Sequence, residues 1–464
     1  MTDVRAPIAI LAASFALACA CANGSNQDTA QPPQTSGDDG GGAPIDGGAD
    51  GSIAVPTPTW TPPTKLTDRI GVYAYGFDDS ALAMTPDRLT WAAGKVHELG
   101  SSTMRVYLGP SDPYRLGLDP SASPVEIARS PAFSTLFASG SFDTFILDVY
   151  SKDDETSSWL TGYTPAAAMT ERAAIADLAT YLFQTYQNKT FILANTRGDD
   201  AIASYATDAG AWDGFVSWTQ ARADGVKDAR LKAQSTSTFV FSAVEFNRVA
   251  GCDEAANKCV SSWVLPRVDV DFFSYASWAS TGAAVADVDL ATHLKGDLDT
   301  ALAFAKKRDP KIDASRFMLG EMGAAREDYG ECRAAQRIAT IAQTATSWGA
   351  PFAVFWQILD EKPKTTPGAT TLRYGAYRPD LTQTLPGSML ASLYTNDAPL
   401  NITATCPSLN PNGVGDGVTF APPLHAEKAA SLFALGLTSK SVVRLAQRDQ
   451  SFTLTDGSPY WYRS

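Results

Sequence analysis

Histidine is scarce in this 464-residue chain: only His97, His293 and His425 occur, far apart in sequence. No zinc-type Cys/His spacing results, so a histidine metal site is not expected and no cofactor is implied. Clustered basic residues are missing as well. The 37 Lys+Arg face 50 Asp+Glu, for a formal net charge of −13 and a pI near 4.8. A nucleic-acid partner needs a basic footprint, and none is present. The apolar stretch Ile8 to Ala20 is too short to cross a bilayer as a permanent helix. Against these absences stands a hydrophobic content of 44%, which excludes a wholly disordered chain. At ~100–200 residues per domain, the length suits two or three domains, or one large domain with appendages.

The chain divides by composition. Residues 1–20 have the pattern of an export signal: a short front end carrying Arg5, the apolar stretch, then the run Leu17-Ala18-Cys19-Ala20-Cys21. A small residue before a cysteine resembles the end of a bacterial lipoprotein signal, which makes Cys19 or Cys21 the candidate lipid attachment site. A plain cleaved signal is the alternative, so the expected location is a cell-surface or outer-membrane lipoprotein, otherwise a secreted protein. Residues 21–64 are Gly, Asp, Gln, Ser, Thr and Pro, with five Asp and no Lys or Arg between Cys21 and Trp60. Such a segment is expected to be a disordered tether, coil-like in its Gly/Asp part and stiffer around Pro56-Thr57-Pro58. Membrane contact is then through a lipid anchor alone.

From residue 65 to 395 the pattern is regular. Eight short apolar or β-branched runs follow one another: Ile70–Phe77, Thr103–Gly109, Phe142–Tyr150, Thr190–Asn195, Thr238–Asn247, Val268–Tyr275, Arg316–Gly320 and Pro351–Ile358. Their length suits strands buried on both faces. Helical spacing fills the gaps, with start signals at Thr85-Pro86 and Thr164-Pro165. Strands alternating with helices pair in parallel, so the expected class is α/β, a (β/α)8 TIM barrel. A doubly wound open sheet competes, but no Gly-rich phosphate loop follows the first run. Residues 396–464 hold short apolar runs such as Phe452-Thr453-Leu454 and Tyr460-Trp461-Tyr462, as in a small C-terminal β module. An even number of cysteines beyond the signal, in an exported chain, predicts pairing of Cys252 with Cys259 and of Cys332 with Cys406. A monomer is expected.

In such barrels the chemistry stands at the carboxyl ends of the strands. Those tips collect Tyr73, Tyr75 and Asp78; Arg105 and Tyr107; Asp148 and Tyr150; Asn195; Glu245 and Asn247; Tyr275 and Trp278; Glu321; and Trp356, Gln357 and Asp360. Amides and carboxylates bond hydroxyls, and ring faces stack on sugar C–H surfaces, so a carbohydrate ligand fits this mixture. The run Met318-Leu319-Gly320-Glu321-Met322-Gly323 resembles the strand-seven tip of the large clan of retaining (β/α)8 glycoside hydrolases. Phe355-Trp356 resembles the clan's strand-eight Trp, Arg105 its strand-two Arg and Tyr275 its strand-six aromatic. Ile192 to Asp200 and Val244-Glu245-Phe246-Asn247 are similar to strands four and five of uncharacterised bacterial barrels of this kind. The resemblance implies Glu321 as nucleophile, with Arg105, Asn195, Arg197, Asn247, Tyr275, Trp278 and Trp356 around the ligand.

One position departs from the pattern. The clan's general acid/base is a Glu just after the strand-four Asn, or one residue later in closer relatives; here those residues are Thr196 and Arg197. A threonine hydroxyl is too weak an acid, and a guanidinium with pKa above ~12 gives up no proton near neutrality. Retaining hydrolysis needs two carboxyls about 5–5.5 Å apart. Asp199, with Asp200, or Glu245 could supply the second. If none does, the mouth binds glycan without cleaving it. A purely structural envelope role is the remaining alternative.

Overall fold

The structure, a computed structural model, describes residues 59–75, 87–151, 162–203, 205, 210–233, 237–361 and 373–401, and the backbone of 451–453 and 459–461. Cys19, Cys21, Asp78, Cys406 and most of the proposed tether and C-terminal module lie outside these residues.

Eight parallel strands close into a barrel in sequence order: β1 (Ile70–Tyr73), β2 (Thr103–Leu108), β3 (Thr144–Val149), β4 (Thr190–Ala194), β5 (Phe239–Phe246), β6 (Phe272–Ala276), β7 (Phe317–Met322) and β8 (Phe352–Phe355), with β8 pairing back to β1. Each coincides with one of the eight apolar runs. Nearly every strand residue is buried, because one face meets the barrel interior and the other the helices. Two cores result. Ile146, Ile192, Ala243, Phe272, Met318, Phe352 and Val354 fill the interior, while residues such as Phe145, Phe191, Phe246 and Leu319 pack outward. The helix Pro165–Thr185 starts where Thr164 and Pro165 predict, with the Thr164 hydroxyl accepting from the amide of Ala167. The helix Arg88–Leu99 starts later than Thr85-Pro86 suggests: its cap is Asp87, whose carboxylate accepts from Thr90 N.

The folded unit also begins earlier than the 21–64 tether boundary. Trp60 packs edge-on to Phe241 (5.3 Å between centroids) and Phe272 (5.5 Å) and lies 6.1 Å from Phe352. These three rings sit at or near the first residues of β5, β6 and β8, so Trp60 plugs the amino-terminal end of the barrel, opposite the strand tips. An indole has too much apolar surface to leave in water when an aromatic cup is within reach.

Cys252 and Cys259 form a disulfide across a loop after β5. Cys332 is half-buried on the helix Arg326–Trp348, and its proposed partner Cys406 is outside the described residues. At the far end of the chain, β9 (Ser451–Thr453) and β10 (Pro459–Trp461) pair antiparallel.

Candidate functional site

Alternation along the strands aims Arg105, Asp148, Glu245 and Ser274 inward at the tip end of the barrel. Arg105 is the hub. Its guanidinium donates to Asp148 (Nη2–Oδ1, 2.6 Å), Glu245 (Nη1–Oε2, 2.8 Å) and the carbonyl of Gly320 (2.7 Å), all fully buried. Burial alone would pull the guanidinium down, but Asp148 and Glu245 outweigh it and hold it well above its ordinary value. Tyr73 donates to Asp148 Oδ2 from beneath the Arg105 plane. Every charge at this level has a partner, as burial demands.

Glu321 needs a local irregularity to reach the mouth. On β7, Met318 faces inward and Leu319 outward, so strict alternation would send Glu321 out. Instead Tyr275 pairs with Leu319 and Ala276 with Glu321, leaving Gly320 as an extra residue. This bulge turns Glu321 into the mouth. Gly320 is also the close-approach point: a Cβ there would lie 1.9 Å from Glu245 Oε2 and 2.1 Å from Ser274 Oγ.

Around Glu321 the geometry is specific. Its Oε2 accepts from Arg197 Nε (2.7 Å) and from the indole Nε1 of Trp278 (2.6 Å), while Oε1 has no hydrogen-bond partner among the described residues. The carboxylate is fully buried under these two side chains. Arg197 sits at φ 36°, a left-handed conformation rare for a residue with a side chain. That conformation lets it serve both carboxyls, because its amide donates to Glu245 Oε1 (2.8 Å) while its side chain reaches Glu321. The guanidinium lies 5.2 Å from the Trp356 ring and 5.7 Å from that of Trp278. Desolvation lowers its proton affinity, yet Glu321 and Glu245 together raise it above the ordinary value, so it stays charged.

Glu245 accepts from Arg105, from the Arg197 amide and from Ser274 Oγ (2.8 Å). Burial pushes its carboxyl up to about 7, against the pull of Arg105 and with the help of the Glu321 and Asp148 charges. It is fully enclosed and offers no atom to a ligand.

The other expected site residues divide. Trp356 lies at the mouth, with Tyr73 edge-on at 5.0 Å and Tyr75 tilted against it at 5.3 Å. Asn195 faces β5: its Oδ1 accepts from the amide of Glu245 (2.9 Å), and the residue is 2% exposed. Asp199 braces the loop after β5, accepting from the amides of Asn247 (2.9 Å), Arg248 (3.1 Å) and Val260 (2.8 Å), and Asp200 accepts from Asn247 Nδ2. Burial raises the Asp199 carboxyl despite those donors. Asn247 is thereby tied to these two aspartates. Asp360 pairs with Arg326 (2.6 Å), and the Gln357 side chain is buried.

Tyr275 requires correction. Alternation turns it out of the barrel, where its ring stacks on Phe246 and its hydroxyl donates to Asp297 Oδ2 (2.7 Å). Trp278, three residues on, is the ring that touches Glu321 from the strand-six loop.

Beside Arg197 opens a cleft of about 370 Å³, lined by Trp278, Trp356, Gly323, Asp328, Tyr329, Glu361 and Tyr374 among others. Tyr374 stands edge-on to Trp278 at 5.1 Å. Asp328, Tyr329, Glu361 and Tyr374 escaped the strand-tip reading because they lie beyond the tips, in the segments after β7 and β8. Among the described residues no group of three His, Cys, Asp or Glu side chains is arranged to hold a metal ion.

No protein-family model matches the chain, and no curated protein matches it. Solved structures do. A GH5_18 from Streptomyces cattleya in complex with GlcNAc shares 16% identity at a TM-score of 0.50, covering 80% of this chain and 91% of that one. A GH5_18 from Bifidobacterium longum subsp. longum ATCC 55813 shares 16% at 0.48, covering 86% and 99%. The exo-beta-1,4-mannosidase Op5Man5 from Opitutaceae bacterium strain TAV5 shares 12% at 0.46, covering 71% and 59%. The barrel is thus similar in fold to glycoside hydrolase structures.

Proposed function

We propose that this barrel is a glycoside hydrolase-like protein that grips a carbohydrate at the Trp278/Trp356 cleft without cleaving it. One contact carries the reading: the 2.7 Å pair between Arg197 Nε and Glu321 Oε2, at the position where a hydrolase would hold its proton donor. The three carboxyls weighed as its replacement are engaged elsewhere. Glu245 is enclosed by Arg105, Arg197 and Ser274, while Asp199 and Asp200 are engaged with the loop after β5. The aromatic walls supply stacking surface for a sugar ring. The GH5_18 structure from Streptomyces cattleya, which holds GlcNAc, agrees with a carbohydrate ligand.

A hydrolase with Glu321 as nucleophile is the second reading, favoured by the unpartnered Oε1. Aryl glycosides with a good leaving group separate the two, because they need no acid assistance. Under the binding reading they stay intact, and calorimetry with natural oligosaccharides returns uncleaved ligand. Release of aryl alcohol that disappears in Glu321→Gln establishes the hydrolase instead. The same reading places the protein outside the cytoplasm, held by lipid on Cys19 or Cys21; fractionation of wild type against the double Cys→Ala variant tests that anchor.

A further inference from the structure

Arg197 holds a left-handed backbone conformation that persists only where the surroundings impose it, so the turn after β4 must be fixed from several sides. Its own backbone supplies two of them. The amide donates to Glu245 Oε1, and the carbonyl accepts from the amides of Asp200 and Ala201. A third hold comes from the neighbouring strand. Tyr150 follows β3, and alternation aims it into the mouth on the same side as Ile146 and Asp148. Its hydroxyl accepts from the amide of Thr196 and donates to the Thr196 carbonyl at 3.4 Å. The ring that carries this hydroxyl is itself stacked on Tyr107, with 5.8 Å between centroids and 17° between planes. Behind it, the buried Arg222 donates from Nη2 to the carbonyls of Val149 (2.9 Å) and Ala194 (3.1 Å). Those residues immediately precede Tyr150 and Asn195. The tips of β3 and β4 are thus tied together from the helix side, and the phenol closes the same joint on the mouth side.

We infer that Tyr150 is a positioning residue: by gripping the Thr196 backbone it holds Arg197 over Glu321 and keeps that carboxylate covered. The inference rests on the reading in which Arg197 occupies Glu321, and adds what keeps it there. Tyr150 acts one residue away from the arginine, through the chain, so its effect must vanish once the arginine side chain is gone.

The accessibility of the Glu321 carboxylate tests this without any ligand. The full chain is treated with a water-soluble carbodiimide and glycine ethyl ester, and the amide formed on Glu321 is followed by peptide mass spectrometry. Wild type is expected to react slowly, because Arg197 and Trp278 cover the carboxylate. Tyr150→Phe keeps the ring but leaves the Thr196 amide without its acceptor. Glu321 is then expected to label about tenfold faster, the opening that one lost hydrogen bond allows. Arg197→Ala labels fastest, and adding Tyr150→Phe to it changes nothing further. Asp360, buried and paired with Arg326, is the internal reference and keeps its wild-type rate throughout. A wild-type rate at Glu321 in Tyr150→Phe overturns the inference. So does an equal acceleration in the Arg197→Ala background, or a parallel rise at Asp360, since either means a general loosening. Those outcomes leave the Arg197–Glu321 reading standing. A Glu321 that stays unreactive in Arg197→Ala overturns both.

Discussion

At the scale of single residues, Arg197 decides what the mouth can do. It pairs with Glu321, keeps its positive charge and, on the proposed reading, stands where a hydrolase would hold its proton donor. Arg197→Glu puts a carboxyl back beside Glu321, and the like charge below raises its affinity for a proton, as an acid requires. Hydrolysis of unactivated oligosaccharides is expected to appear at least ~10²-fold above the wild-type background, measured as reducing ends. No gain would mean that the two groups are not aligned on a ligand. Glu245 supports a second prediction. Its carboxyl is raised from 4.5 to about 7, so between those values the folded state binds protons that the unfolded chain has released. Stability from this group is therefore present at the acid end and lost as pH rises through about 7. Denaturation curves should show wild type losing ground relative to Glu245→Gln across that window; parallel curves would place the proton elsewhere.

At the scale of elements, the bulge in β7 does what no side chain could do alone. Gly320 frees the space in which Arg105, Glu245 and Ser274 meet and turns Glu321 inward. Gly320→Ala drives a methyl group into Glu245 and Ser274, and a loss of about 3 kcal/mol or outright misfolding is expected in urea denaturation. The eight strands were legible because runs of 5–10 apolar residues alternating with helical spacing carry a strong periodic signal. That Arg105, Glu245, Glu321, Trp278 and Trp356 meet at one end of the barrel was legible because side chains at the strand tips converge there. Tyr275 was not: which way a residue faces near a strand end depends on register, and a single extra residue in β7 changes what stands opposite it. Asn195 and Asp199 carry types that suit sugars and backbone amides equally, and only the neighbouring strand decides between them. Asp328 and Tyr329 stand at the start of the helix Arg326–Trp348 and Tyr374 in the segment after β8, beyond the tips from which the candidates were read.

For the whole molecule, the barrel is closed at one end and open at the other. Trp60 seals the end where the strands begin, and Trp60→Ala should cost on the order of 2–3 kcal/mol, read as a lower urea midpoint with cleft binding preserved. A change in glycan affinity of the same variant would show that the two ends are coupled through the interior rings. The position of that plug also sets a direction. Among the described residues, the incoming chain meets the barrel at the end opposite Arg197 and Glu321, so the approach to the Trp278/Trp356 cleft is left to the loops that follow the strands.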